Sequence, residues 1–346
     1  DPIKEAKVNW VTARRAILRK PVDRIGYGGY LKLALEFPEF IQYIEEVCDE
    51  FRLLYENVGG QSPYSHFKVG VLNSWGKIRS WGTHMVAHAI DYKQTYSYAG
   101  VLEALSGAGV DVTFLSFDEI IESGIPEEVD VIVNAGAAGT AFSGGDRWLE
   151  ERLVTAVRKF VWNGGGFVGI GEPSAVHGGG RFFQLADVLG VDKELGFSLS
   201  TDKYFTGALE THFLKEDRQS AFDFGESVNN VYALSEDTEI AEFSDGEVHL
   251  SAHGYGRGRG VYIAGLPYSH DNTRLLLRGL YYSGGREEEM KRWYGDNPLC
   301  EVHAYPEKGH YAVVNNSMEP QTTMVYDGAG KAHEVKLEGS QILWEK

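Results

Sequence analysis

The sequence predicts an α/β protein: a parallel-sheet domain preceded by the tail of a (β/α) barrel and followed by a small antiparallel β domain. Three observations predict it. From Phe67 to Tyr281, apolar runs of strand length alternate with amphipathic runs of helix length, the order that builds a parallel sheet covered on both faces. Upstream, a helix, a glycine-ended strand and a second helix succeed one another, as in the last portion of a barrel. From Asp296 onward, short alternating runs are parted by Gly, Pro or Asn-Asn, an all-β texture. The boundaries this implies are 1–62, 63–295 and 296–346.

Residues 8–19 read as a helix with Val8, Val11, Ile17 and Leu18 apolar and Arg14, Arg15 and Arg19 on its charged side; Pro21 stops it. Residues 22–30 read as a short strand dissolving into glycines. A second helix runs from Pro38 to about Tyr55, with proline in its first turn, Phe40, Ile44, Val47, Phe51 and Leu54 on one side, and Gly59-Gly60 beyond its end. One strand cannot close a barrel, so this part requires partners outside the chain. Strands follow at 69–72, 110–115, 129–133, 167–170 and 260–265, with helices at 98–108, 149–162 and 272–281. Residues 299–303, 310–315, 322–326 and 333–337 are the β runs of the last domain.

The strand at 167–170 carries the most informative feature. Gly164-Gly165-Gly166 leads into Phe167-Val-Gly-Ile-Gly-Glu-Pro173, an apolar strand that ends in small residues before a turn into a helix. That pattern exposes a nucleophile at the edge of α/β sheets. Here the exposed position is Gly171, and Cys48 and Cys300 are both remote in sequence. The middle domain therefore reads as glutamine-amidotransferase-like (flavodoxin-like) without the nucleophile, and no glutaminase or esterase activity is expected of it.

A net charge of −17 disfavours nucleic acid as a partner, because phosphate backbones need a basic surface. It leaves room for a small anion held by local Arg or Lys. Two distant cysteines give neither a disulfide framework nor a metal motif. No apolar run reaches membrane-spanning length and no signal peptide is recognisable, so a cytoplasmic location is expected. The chain opens at Asp1-Pro2 without Met and runs straight into a helical pattern, which reads as an internal cut.

With this layout, the sequence resembles the 1,3-β-galactosyl-N-acetylhexosamine phosphorylases, the galacto-N-biose/lacto-N-biose phosphorylase family. The matching stretches are Arg24-Ile-Gly-Tyr-Gly-Gly-Tyr30, Lys68-Val-Gly-Val-Leu-Asn-Ser-Trp75, Val176-His-Gly-Gly-Gly-Arg181 with Leu189-Gly-Val191, and Gly258-Arg-Gly-Val-Tyr-Ile-Ala264. The resemblance covers nearly the whole chain, corresponding to the C-terminal portion of the family's proteins. It implies an architecture shared with bacterial barrel β-galactosidases: catalytic barrel, glutaminase-like middle domain, small β domain. The implied activity is that of a glycosyltransferase, a disaccharide phosphorylase. It splits a β-1,3-galactosyl-N-acetylhexosamine with phosphate, inverting the anomeric carbon, to galactose 1-phosphate and the free amino sugar. One barrel acid protonates the leaving oxygen while phosphate attacks from the other face, so no second catalytic carboxylate is needed. That acid belongs to earlier barrel sequence, and no residue of this chain takes its place, so the chain alone is expected to be inactive. Phosphate is a co-substrate, no cofactor is implied, and a homodimer or higher homo-oligomer is expected. The alternatives are a β-galactosidase of similar architecture and a non-catalytic module for oligomerisation or carbohydrate binding.

Two segments are candidate substrate-binding elements. Tyr27, Gly28, Gly29 and Tyr30 end the barrel-like strand, where barrels place their active-site residues. Glycine lets backbone approach a sugar and tyrosine supplies a ring and a hydroxyl; the competing reading is a tight turn with both rings packed on the next helix. The long segment 73–84 follows the first strand of the middle domain, near where open α/β sheets bind ligands. Trp75 and Trp81 are suited to stacking on sugar rings, and Arg79 and His84, with Lys77, to holding phosphate; the competing reading is packing at an interface. Glu172 and His177 after the elbow, and the glycine run His177–Arg181, read as structural. His84 and His88 have i, i+4 spacing but no third ligand, so no metal is expected. The run Arg286–Arg292 reads as a solvated helix face.

Overall fold

The computed structural model describes residues 2–26, 28, 31–74, 96–178, 181–196, 205–216, 218 and 220–346. They form two compact units: one of His66–Leu105 and Val110–Met290, the other of Asp1–Ser65, Ser106–Gly109 and Lys291–Lys346.

The chain enters the second of these through three helices, α1 (Pro2–Arg19), α2 (Leu31–Ala34) and α3 (Pro38–Val58). Pro38 occupies the first turn of α3, where its missing N–H costs nothing, and Gly59 ends the helix in the left-handed conformation (φ 61°) with its N–H on Tyr55 O. Residues 21–26, expected as strand, are irregular. A strand exists through the hydrogen bonds of a neighbouring strand, and none pairs with this segment among the described residues. The polarity of α1 also differs from expectation. Val8 is 48 % exposed, whereas Arg14, Arg15 and Arg19 are buried.

The larger unit is a seven-stranded sheet of order β2-β1-β3-β4-β11-β10-β9. Its first elements are β1 (Lys68–Asn73), α4 (Tyr96–Ser106), β2 (Asp111–Ser116), α5 (Phe117–Ser123), β3 (Val131–Gly136), α6 (Glu151–Trp162) and β4 (Gly166–Gly171). Ser116 and Glu119 form a reciprocal capping box that starts α5 immediately after β2. Five strands, β2, β1, β3, β4 and β11 (Gly258–Ile263), run parallel. The central strands β1, β3 and β4 are buried almost throughout, as strands covered on both faces are, whereas the edge strand β2 is mostly half-buried, with Phe114 exposed.

Two features depart from a purely parallel αβ alternation. After β4 the chain does not enter a helix. It turns through Ser174 (φ 55°) into the hairpin β5 (Ala175–Gly178) and β6 (Arg181–Phe183), before the short α7 (Ala186–Leu189) and the ladder of β7 (Val191–Lys193) with β8 (Val231–Ala233). The sheet then closes with β9 (Glu239–Ser244) and β10 (Glu247–Tyr255), antiparallel to each other, and β10 antiparallel to β11. Asp245 and Gly246, at φ 55° and 85°, make the positive-φ pair of a tight hairpin turn between them. Helix α8 (His270–Ser283) follows, capped by Ser269 Oγ on Asn272 N–H. The core packs Leu72, Ile132, Phe167 and Tyr262 of the sheet with Trp148 and with Leu153 and Val157 of α6. Each such aliphatic side chain taken out of water contributes ~1.5–3 kcal/mol. The run at 286–292 is a 3₁₀ turn at Glu287–Glu289, and Arg286 pairs with Glu289 and, at 3.2 Å, with Asp130. It is a tie to the start of β3 and not a solvated helix face.

The chain ends in the smaller unit with β12 (Tyr294–Gly295), β13 (Cys300–Tyr305), β14 (His310–Asn315), β15 (Gln321–Tyr326), β16 (Ala332–Leu337) and β17 (Ile342–Glu345). They form two antiparallel three-stranded sheets, β12-β15-β16 and β13-β14-β17. Strand β14 is apolar on both faces for a reason. Tyr311 and Val313 pack with Val325, Val335 and Leu337 of the other sheet, while Ala312 and Val314 pack with Trp10, Leu18, Val47 and Leu54 of α1 and α3. The buried arginines belong to that second contact. Arg14 donates to Glu50 (2.8 Å) and to Asn315 O (2.9 Å), Arg15 makes two bonds to Glu301 Oε1 (2.6 and 2.9 Å), and Arg19 reaches Tyr64 O and Ser65 Oγ. Among the described residues, no helix is long and apolar enough to cross a membrane.

Candidate functional site

The parallel strands place their carboxyl ends at one edge of the sheet, and the crossovers reverse direction between β1 and β3, the position where open α/β sheets hold ligands. Asn73 closes β1 there, fully buried, with neither its Oδ1 nor its Nδ2 partnered. Asn134, on β3, is satisfied: its Nδ2 donates to Ser143 O and its Oδ1 accepts from Ser174 N.

The elbow sits next to this edge. Gly171 is in the left-handed region (φ 76°), and a Cβ there would stand 3.0 Å from Gly136 O. The sharp strand end that the glycine pattern implied is present, but its donors are consumed. Glu172 N–H bonds Gly136 O at 2.9 Å, and Ala138 N–H bonds the Glu172 carboxylate at 2.7 Å. The other oxygen of Glu172 meets Lys193 Nζ at 2.6 Å, with both side chains mostly buried at 14 % and 17 % exposure. Acyl transfer needs N–H groups pointing at the developing oxyanion. Both N–H groups just described are already engaged: that of Glu172 by the Gly136 carbonyl, and that of Ala138 by the carboxylate–lysine lock, which ties the loops after β3 and β4 to β7.

Above the lock lies a cleft of about 220 Å³. Among the described residues its walls include Tyr96 and Ser97 at the start of α4, Gly136, Gly171, Lys193 and Glu226. Tyr96 Oη donates to Glu226 O at 2.7 Å, and burial raises its pKa, so the phenol stays neutral near pH 7. Lys193 and Glu226 were absent from the sequence reading. Neither had a local signal: Lys193 follows Val191-Asp192 in a short charged run, and Glu226 sits in a loop with no periodicity.

Two other clusters bring together residue types common in catalysis. His212 Nε2 faces Glu239 at 2.9 Å, and Tyr282 donates to the same carboxylate at 2.6 Å. His212 Nδ1 accepts from Leu214 N–H, so both ring nitrogens are engaged in a turn. In the smaller unit, Glu301 and His303 are buried, with His303 Nε2 3.6 Å from Glu301, too far for a hydrogen bond. Among the described residues no group of His, Cys, Asp or Glu could hold a metal ion.

Of the candidate substrate-binding residues, only Gly28 is described. It lines an apolar groove of about 640 Å³ formed by α1, α2 and α3, with Trp10, Ile25, Phe37 and Phe40. Tyr27, Gly29, Tyr30, Trp75, Arg79, Trp81 and His84 lie outside the described residues, as does His88.

Comparison with known proteins bears on the whole chain. Three family models match in order: the lacto-N-biose phosphorylase N-terminal TIM barrel domain over residues 1–66, the central domain over 68–288 and the C-terminal domain over 293–345. A 1,3-β-galactosyl-N-acetylhexosamine phosphorylase of Lachnoclostridium phytofermentans is 61% identical over 99% of this chain and 47% of its own length. One from Bifidobacterium longum is 44% identical over 100% of this chain and 50% of its own. The chain thus spans about half the length of the curated relatives it matches. Among solved structures, a β-galactosidase from Rahnella sp. R3 shares the fold at a TM-score of 0.51 and 16% identity, over 87% of this chain and 44% of that one.

Proposed function

The chain belongs to the lacto-N-biose phosphorylase family, and from that premise we propose that it is part of an inverting phosphorylase acting on β-1,3-galactosyl-N-acetylhexosamine. The reaction transfers the galactosyl group to phosphate. The glycosidic C–O bond breaks as a barrel carboxylic acid gives its proton to the leaving oxygen. A phosphate oxygen bonds the anomeric carbon from the opposite face, giving galactose 1-phosphate and free N-acetylhexosamine. The catalytic acid lies in barrel sequence outside this chain. The observation that carries the reading is the match of all three family domains in their proper order along the chain. The middle unit is glutaminase-like in layout and idle in that chemistry, with Gly171 at the elbow.

The test is an assay of the intact parent protein with lacto-N-biose and galacto-N-biose, with and without phosphate. Galactose 1-phosphate formed only when phosphate is present is the expected result. Galactose released equally well without phosphate would establish the β-galactosidase reading instead.

The segment carrying Trp75, Arg79, Trp81 and His84 is proposed to cap the barrel site. Phosphorolysis must outcompete hydrolysis at one anomeric carbon, so a ring that excludes water is useful there. An arginine offers phosphate a planar fork of donors. Replacing Trp75 and Trp81 together by Ala in the parent is expected to lower kcat/KM about tenfold or more, a loss of ~1.4 kcal/mol, with an unchanged thermal midpoint. Unaltered kinetics would remove the segment from the site, and a collapsed midpoint would mark the tryptophans as packing residues.

A further inference from the structure

We propose that the cleft above Gly171 binds a small uncharged polyhydroxylated ligand of the size of one sugar ring. The proposal does not depend on the reaction proposed above. At about 220 Å³ the cleft is smaller than the ~300–1,000 Å³ typical of drug-sized ligands. Its floor is main chain. Gly136 and Gly171 offer no side chain, and the left-handed backbone of Gly171 keeps that position free of a Cβ.

The charges on the described walls select against anions. The one ammonium on the described walls, Lys193, is already held 2.6 Å from the Glu172 carboxylate. Phosphate entering here finds that cation already neutralised. A hydroxylated ligand meets no such penalty, because each hydroxyl both donates and accepts and the walls offer carboxylates, an ammonium, Ser227 and main-chain groups.

A second observation concerns Tyr262. Tyr262 is fully buried on β11 and its hydroxyl has no hydrogen-bond partner. Burial raises its pKa well above the ordinary value, and the carboxylate of the cleft residue Glu172 adds to this. An unsatisfied hydroxyl is rare in a protein interior.

The experiment is hydrogen–deuterium exchange on the intact parent protein, which resolves the cleft from any other sugar site. Galactose, N-acetylglucosamine and N-acetylgalactosamine are the sugar arms; inorganic phosphate and 1,4-diaminobutane are the anion and cation arms. At a sugar concentration ten times its Kd, exchange at residues 136–138 and 226–229 is expected to slow about tenfold where opening empties the cleft. Two variants must abolish that protection: Lys193→Met, which removes the wall donor, and Asn229→Trp, which fills the exposed mouth without touching the lock. Asn229→Trp is expected to leave phosphorolysis unchanged. Protection by phosphate or by the diamine in place of sugar overturns the proposal. So does protection by none of them, or protection by sugar that survives Asn229→Trp. A parent that shows the sugar protection yet fails to phosphorolyse would sink the proposed reaction and leave this site standing.

Discussion

Arg15→Met is expected to destabilise the smaller unit by about 3–5 kcal/mol, the usual cost of removing one partner of a buried ion pair. Arg15 is 1 % exposed and makes two bonds to one oxygen of Glu301. Burial alone would raise the Glu301 pKa; the Arg15 guanidinium, then His303, outweigh it and hold the carboxyl well below the usual carboxylate range. The sign for pH follows. The folded value lies below the ordinary glutamate value of 4.5, so this stabilisation is fully present above 4.5 and is lost as pH falls through the folded value. Denaturant unfolding of the wild type and Glu301→Gln should therefore differ strongly at neutral pH and converge in acid. A double variant, Arg15→Met with Glu301→Leu, should recover most of the loss, because removing both charges together leaves neither stranded. A stability gap that is the same at every pH, or a double variant no better than the single ones, would refute the ion-pair account.

That pair also shows where the sequence misleads. Arg14, Arg15 and Arg19 alternate with Val11, Ile17 and Leu18 in a pattern that reads as a helix with a charged side. In the fold the arginines are buried because Glu50, Glu301, Asn315 O and Tyr64 O receive them, and Glu301 and Asn315 lie nearly 300 residues downstream. Local periodicity carries no information about a partner at that separation. By contrast, β1, β3, β4 and α3 were legible to within a few residues, since their apolar runs and terminal Pro or Gly are local signals. The hairpin of β9 and β10 had such a signal as well, the Asp245-Gly246 turn, and it was missed. The expected strand near 22–30 failed for the opposite reason. Its sequence suits a strand, but described residues 21–26 find no partner. The candidate site was legible only at Gly171: the glycine pattern announced a sharp strand end without a nucleophile. It could not announce that Lys193 would be brought to Glu172, or that a hairpin would replace the expected helix.

Glu172→Ala is expected to cost about 3 kcal/mol, the low end for breaking a mostly buried pair. The carboxylate holds two donors of different strands' loops, Ala138 N–H at 2.7 Å and Lys193 Nζ at 2.6 Å, and its removal strands both. Glu172→Gln keeps one carbonyl oxygen for Ala138 and a neutral contact to Lys193, so it should fall between wild type and Ala. The loss should be local first: exchange should quicken at 137–143, where Thr140 and Ser143 bond Ala137 O, before the sheet itself opens. The lock also fixes what the elbow cannot do. Gly171→Cys would place a thiol at the position of a nucleophile, and Gly171's φ of 76° is a geometry such elbows tolerate. The Glu172 N–H still belongs to Gly136 O, and the Ala138 N–H to Glu172. An oxyanion formed on an acyl-cysteine would meet neither donor, a deficit worth roughly 10²–10³ in rate for each one. Gly171→Cys is therefore expected to release no ammonia from glutamine and no acid from an activated ester beyond the wild-type background. Measurable turnover by that variant would show that the donors can be freed, and that the lock is not what silences this edge of the sheet.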